Sequence, residues 1–199
     1  RGLAATEPDL VVVTGDFRAH KNAMDPLMRA LDPVLRNPGA FVFGSNDYYA
    51  PKLKNPARYL KRDDGERIHG ADLPWQDLQA RLVDRGWQDL THRRTVLRIA
   101  GRSIELRGVD DAHLDRDDYS QIQGPPADGV DFSIGVSHAP YLRVLDAMAA
   151  DGCDLILAGH THGGQLRVPG FGALVTNCDL DRRRARGLSS HGTSALHVS

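Results

Sequence analysis

Four times along the chain a short apolar run gives way at once to small or polar residues. Asp9-Leu10-Val11-Val12-Val13 leads into Thr14-Gly15-Asp16, and Ala40-Phe41-Val42-Phe43 leads into Gly44-Ser45-Asn46-Asp47. Phe132-Ser133-Ile134-Gly135-Val136 leads into Ser137-His138, and Asp154-Leu155-Ile156-Leu157-Ala158 into Gly159-His160-Thr161-His162. Continuous runs of this length, rich in β-branched residues, predict strands buried on both faces. Each predicted strand therefore ends in a loop carrying side chains able to bind a metal.

Between these runs the apolar spacing changes to the helical period, which is the mark of βαβ organisation. From Pro140 to Ala150, residues Tyr141, Leu142, Leu145, Met148 and Ala149 fall on one stripe, with Pro140 acceptable in a first turn. From Pro74 to Arg85, Trp75, Leu78 and Leu82 share a face, Asp77 and Arg81 stand at i and i+4, and Gly86 follows as a stop. Between Asp25 and Leu35 the period is helical through Leu27, Met28 and Leu31, but Pro33 would break an interior turn, so a short or kinked helix is expected.

From Thr95 the pattern becomes alternating, with Leu97 and Ile99 set against Ile104 and Leu106 across Ala100-Gly101-Arg102, a hairpin signal. Tyr48 to Gly70 and Asp110 to Gly129 are polar and rich in Pro, Gly and Asp, and read as loops where substrate specificity would sit. The sum is an α/β chain. Its 199 residues, 41% of them hydrophobic, suffice for one sizeable core, so a single domain over residues 1–199 is expected.

A net charge of −1 supplies no global field towards nucleic acid or an anionic membrane, so an anionic substrate must be held locally and no specific nucleic-acid partner is expected. The two cysteines, Cys153 and Cys178, are too few for a disulfide framework or a zinc-ligand cluster and read as reduced packing residues. No apolar run approaches the roughly 20 residues that span a bilayer, and the first residues lack a leader pattern. Both ends read as cuts: position 1 is Arg, and Ser194 to Ser199 stop in what reads as the start of a strand. A membrane anchor upstream is compatible with this, and a soluble domain, cytoplasmic or membrane-associated, is the expectation.

In an open α/β sheet ligands bind beyond the carboxyl ends of the strands, so four ligand-bearing loops there should converge. The residue types available are Asp16, Asn46 or Asp47, His138, His160 and His162, a mixture of imidazole nitrogen with carboxylate or amide oxygen. That mixture suits borderline divalent ions such as Zn, Mn, Fe or Co better than the all-oxygen cages of Ca or Mg. His160 and His162 are two residues apart and would share a face if the backbone there is extended. Gly159, Gly163 and Gly164 remove Cβ bulk around them, fitting a tight loop wrapped around a metal cluster or a phosphate.

Gly15-Asp16, Gly44-Ser45-Asn46-Asp47, Ser137-His138 and Gly159-His160-Thr161-His162-Gly163-Gly164-Gln165, in that order over positions 9 to 177, resemble the calcineurin-like metallophosphoesterase superfamily. The last run is similar, more narrowly, to the bacterial branch containing the YkuE and YaeI phosphodiesterases, some of which act on lipid-linked or nucleotide-linked diphosphates. The resemblance implies a four-layer α/β-β/α sandwich with two mixed sheets flanked by helices, incomplete at both ends. It also implies two divalent transition-metal ions bridged by Asp16. His138, His160 and an amide from the Asn46 loop would complete one ion, and His162 with an Asp-x-His motif the other. That motif is expected ahead of Arg1, with the domain's first strand, and the last strands are expected after Ser199. The implied activity is hydrolysis of a phosphomonoester, phosphodiester or pyrophosphate by a metal-bridging hydroxide, on a phosphorylated small molecule or a lipid-linked substrate.

One departure matters. The family usually reads Gly-Asn-His-Asp where this chain has Gly44-Ser45-Asn46-Asp47. Either Asn46 shifts by one position to become the amide ligand, or the site uses a different acid; the first is favoured because an amide oxygen is a better donor than a hydroxyl, and it leaves the general acid unassigned, with His20 as a stand-in. Asn46, Asp47 and His138 are the candidate reacting set. His113, within Asp110-Asp111-Ala112-His113, is the histidine outside the motifs most apt to border the cleft. The arginines from Arg182 to Arg186 read as a solvated face able to meet a phosphate. The rival reading is a non-catalytic metal- or phosphate-binding module. A metallopeptidase is disfavoured because no helical His-Glu-x-x-His is present.

Overall fold

The computed structural model describes residues 7–51, 70–164, 166–168 and 172–199, the stretches 166–168 and 172–175 by their backbone alone. Most of the predicted loop from Tyr48 to Gly70 lies outside the described residues, as does Gln165.

Two sheets form the centre. The smaller contains β1 (Val11–Val13), β2 (Gly39–Phe41) and β3 (Gln88–Asp89), parallel throughout in the order β1-β2-β3. The larger is mixed and six-stranded, built from β4 (Arg93–Ile99), β5 (Arg102–Gly108), β6 (Phe132–Ser137), β7 (Leu155–Ala158), β10 (Gly187–His191) and β11 (Ser194–Val198). Its order is β10-β11-β7-β6-β5-β4, with β5, β6, β7 and β11 parallel and an antiparallel strand at each edge. A separate antiparallel pair joins β8 (Leu166–Val168) to β9 (Gly172–Val175).

The alternation of side chains along the strands sets the layers. Val11 and Val13 pack outward with Phe41, Phe43, Leu78, Leu82 and Trp87, whereas Val12 joins Ala40, Val42, Leu106, Ile134 and Val136 in a core shared by both sheets. In β7, Leu155 and Leu157 face that shared core, and Ile156 and Ala158 face outward to Val144, Leu145 and Met148. Three helices cover the two outer faces: α1 (Met24–Leu31) and α3 (Trp75–Val83) on the smaller sheet, α4 (Leu142–Ala150) on the larger. The result is the expected helix–sheet–sheet–helix sandwich.

Local expectations translate closely. α1 stops at Leu31, before Pro33, and the turn that follows buries Val34 and Leu35. The β4–β5 hairpin pairs Leu97 with Ile104 and turns on Ala100 and Gly101, both at positive φ (47° and 81°), the geometry of a two-residue hairpin turn. Ala195 to Val198 pair in parallel with Leu155 to Ala158 of β7. Cys153 and Cys178 are both free thiols. Among the described residues no helix is long and apolar enough to cross a membrane.

Candidate metal centre

Each of β1, β2, β6 and β7 delivers one of the four sequence motifs at its carboxyl end. After β1 the chain turns through Thr14, Gly15 and Asp16. After β2 it enters a single helical turn, α2 (Ser45–Tyr48), so the second motif is itself the start of a helix. After β6 comes His138, and after β7 the loop holding His160 and His162. Two of these loops come from each sheet, so the site straddles the sandwich.

The loops can approach so closely because glycine lines the seam. A Cβ on Gly15 would stand 2.5 Å from Gly44 N and 2.8 Å from His138 Nδ1. One on Gly44 would stand 2.5 Å from both Asp16 Oδ1 and His138 Cε1. Any other residue at either position would push the donor set apart.

Asp16, His138 and His160 form a connected group. His138 is 1% exposed, and its Nδ1 donates to the Thr14 carbonyl oxygen at 2.6 Å. That bond sends the ring proton to Nδ1 and presents Nε2 as a lone pair, the second-shell arrangement typical of a metal-ligating histidine. His138 Nε2 lies 3.6 Å from Asp16 Oδ1 and 3.2 Å from His160 Nδ1. Among the described residues, Nε2 of His160 is buried without a hydrogen-bond partner. Burial, reinforced by the neighbouring His138 and His113 rings, holds the His160 pKa well below the ordinary imidazole value, so the ring is neutral, as a ligand must be. For His138 burial pulls the other way from its surroundings: Asp16 and Asp111 outweigh it and raise the pKa.

The backbone carries strain at the same place. Asp16, His160 and His162 all adopt positive φ (59°, 68° and 51°), a region costly for residues with a side chain. Each such residue costs about 1–3 kcal/mol and persists where surrounding structure over-determines it, which is commonest at functional sites. Here the extended-strand expectation for the histidine pair fails. β7 ends at Ala158, and His160 and His162 sit on a left-handed turn. They nevertheless border one cavity of about 400 Å³, shared with Asp16, His138, Arg186 and Ser199.

The Gly44–Asp47 loop divides its labour. The Asn46 amide reaches Asp16, with Nδ2 donating to Oδ2 at 2.9 Å and its backbone N–H to Oδ1 at 2.9 Å. Ser45 turns elsewhere, donating to Asp111 Oδ2 at 2.6 Å. Of the two, Asn46 is therefore the one placed against the carboxylate. Asp47, expected among the reacting groups, faces the backbone of the two loops. Fully buried, it accepts hydrogen bonds from the backbone N–H groups of Asp16, Phe17 and Gly44. It clamps the first loop to the second. Burial pushes its pKa up to about 7, against the lowering effect of the Gly44 and Asp16 amides.

His20 is exposed and caps a turn at Lys21–Ala23 by accepting from Asn22 N, so it is not among the residues bordering the cavity. The sequence reading passed over Asp111, which is fully buried, accepts from Ser45 Oγ and His113 N, and helps raise the His138 pKa. Its neighbour His113 stacks 4.4 Å from the His160 ring and lies 3.1 Å from Tyr141 Oη. A signal existed, since Asp111-Ala112-His113 is an Asp-x-His triplet on a short turn following β5.

Among the described residues no three His, Cys, Asp or Glu side chains already meet at ion-binding distance. The donors instead satisfy one another, His138 against His160 and Asp16 against Asn46. The chemistry of the set still fits a cation: a neutral imidazole with an orphaned buried nitrogen, a second imidazole with its tautomer fixed by a carbonyl, and a carboxylate beside the second.

Comparison with known proteins agrees. The chain is 39% identical over 170 residues to the uncharacterized protein YpbG of Bacillus subtilis, covering 83% of this chain and 55% of that one. It is 27% identical over 203 residues to the phosphodiesterase YaeI of Escherichia coli, covering 97% and 63%, and 27% identical over 204 residues to the metallophosphoesterase YkuE of B. subtilis, covering 98% and 60%. The chain thus spans 55–63% of the length of these relatives. The profile of the calcineurin-like phosphoesterase family matches residues 1–164, four motif loops included, and the chain belongs to that family.

Proposed function

We propose that this domain hydrolyses phosphoester bonds with the help of two divalent transition-metal ions, Mn, Zn, Fe or Co, gathered at the ends of β1, β2, β6 and β7. The orphaned Nε2 of His160, buried beside His138 and Asp16, is the observation that carries this reading. A polar atom left unpaired in the interior costs about 1–3 kcal/mol, and a ligand that fills the gap returns it. Asp16, Asn46, His138 and His160 would hold one ion, the amide turning its oxygen to it. His162, exposed on the cavity rim, would serve the second ion together with Asp16 and with ligands supplied from beyond these 199 residues.

When bound, such an ion pair supplies Lewis acidity towards phosphoryl oxygens and lowers the pKa of water towards about 7, providing a nucleophile at neutral pH. The chain's own residues do the rest. Thr14 fixes the His138 tautomer, and Asp47 locks the Asp16 and Asn46 loops in register. Arg186, exposed at the cavity wall, is placed to meet a phosphoryl oxygen in a charge-assisted hydrogen bond. Phosphorylated small molecules or lipid-linked phosphates are the substrate classes proposed, in keeping with the phosphodiesterase named among the relatives.

The test is turnover of bis(p-nitrophenyl) phosphate by the full-length protein, stripped of metal and reloaded with Mn or Zn. Metal-dependent release of p-nitrophenol supports hydrolysis. Saturable metal binding with no turnover would support the binding-module reading instead. The 199-residue chain alone is expected to be weakly active, and equal rates from it and the longer protein would contradict the proposed second half-site.

A further inference from the structure

Two residues beyond Asp16, the guanidinium of Arg18 is buried, 4% exposed, and among the described residues none of its three nitrogens has a hydrogen-bond partner. Guanidinium carries five N–H donors and stays charged in a protein, so such burial without acceptors is costly unless something else supplies them. Arg18 borders a cavity of about 580 Å³ that has no lining residue in common with the cavity at His138 and His160. Its other polar walls are Lys21, Asn22, Asp25, Asp77 and Arg81.

The charges there are not evenly spent. Asp25 is taken by Arg81 at 3.0 Å. Asp77 and Asp47 attract Arg18 across space, but neither accepts a hydrogen bond from it. Lys21 and Asn22 lie on the exposed turn capped by His20, presenting an ammonium and an amide to the same cavity. Asp77 sets a carboxylate among these cations, so what the cavity lacks is a group that accepts hydrogen bonds from Arg18.

We infer that the cavity bounded by Arg18, Lys21 and Asn22 is an anion site that takes a phosphate group, separate from the proposed metal centre. The forked donors of arginine match a tetrahedral oxyanion bidentately, and a lysine adds a point charge. The phosphate could be free in solution or be a second phosphate on a substrate whose scissile ester lies at the metal centre. The binding claim does not depend on hydrolysis.

Inorganic phosphate is the probe, titrated into the protein in metal-loaded and metal-stripped forms and followed through the amide signals of Lys21, Asn22 and Arg81. Saturable shifts at those amides in both forms are expected, because the site needs no metal. Arg18→Met should weaken that binding about 10- to 100-fold, the loss of a hydrogen-bonded charge. Lys21→Met, at an exposed position where folding is not at stake, should weaken it several-fold. Shifts absent, non-saturating, unchanged by Lys21→Met, or lost with the metal would overturn the inference. Once binding is seen, kinetics assigns the source. A KM raised by Lys21→Met for a nucleotide diphosphate ester, but not for bis(p-nitrophenyl) phosphate, marks the substrate's own second phosphate. KM unchanged for both marks free phosphate.

Discussion

Two buried polar clusters in this domain have opposite characters. On β5, Arg107 and Glu105 have side chains 0% and 2% exposed. Arg107 donates to Glu105, to Asp151 at 3.3 Å and to the Gly124 carbonyl at 2.7 Å. Glu105 also accepts from Arg94 at 3.0 Å and from Ala127 N at 2.8 Å, and Tyr119 Oη donates to Asp151 at 2.9 Å. Every charge there has its partner. Burial opposes both ionised forms, yet the partners prevail, lowering the Glu105 pKa and raising that of Arg107. The cluster at the strand ends has instead an orphaned His160 nitrogen, two histidine nitrogens facing each other and three residues in left-handed backbone. A closed network ties a chain to one structure, whereas an open one, with a buried atom left unpaired, is poised to receive a ligand. Distinguishing the two needs an account of unpaired atoms as well as of burial.

The comparison can be broken most forcefully at Asp16. Asp16→Ala in the full-length protein should lower kcat/KM on a chromogenic phosphodiester by about 10³-fold, roughly 4 kcal/mol of barrier, with the fold retained by circular dichroism. Arg107→Ala should do the reverse, costing about 3–5 kcal/mol in urea denaturation by taking one of two arginines from the buried Glu105 and opening a fully buried site, while the surviving folded protein keeps its metal affinity. If Arg107→Ala abolished metal binding in folded protein, the two clusters would not be separate.

A finer cut falls inside the second motif. Asn46→Ala should weaken metal binding about 10- to 100-fold, as removal of a group at or beside a ligand does. Ser45→Ala should leave affinity unchanged and cost about 1 kcal/mol of stability through its lost bond to Asp111. Equal effects on affinity would return Ser45 to the ligand set.

The smallest effect concerns Asp47 in metal-free protein. Its folded pKa of about 7 exceeds the ordinary carboxyl value of 3.8, so the folded state holds a proton that the unfolded chain has released. Its contribution to stability is fully present below pH 3.8 and is lost as pH rises through 7. Asp47→Asn should flatten that part of the urea-stability profile, and an unchanged slope would show that Asp47 stays ionised.

Much of this was legible in the sequence because the four strands and their terminal loops are contiguous. A β-branched run followed by Gly-Asp or Gly-His fixes both an element and what it carries. α3 and α4 were legible for a related reason, since Leu78, Leu82, Leu145 and Met148 repeat at helical spacing and are all buried. The role of Asp47 was not. Whether a carboxylate faces a ligand or its own backbone depends on where Asp16 N and Phe17 N end up, some thirty residues away. β3, two residues long, and β10, with alternating half-buried and exposed residues, leave no apolar run to read. Asp111 was hidden because its partner, Ser45, lies 66 positions distant.

The proposed chemistry requires that the opening at His160 take a cation. Calorimetric titration of Mn or Zn into the metal-stripped 199-residue chain tests it directly, with His160→Ala alongside. One saturable ion per chain is predicted, its affinity lowered at least about tenfold in the variant. Saturable binding that His160→Ala leaves untouched, or none in either protein, would contradict it.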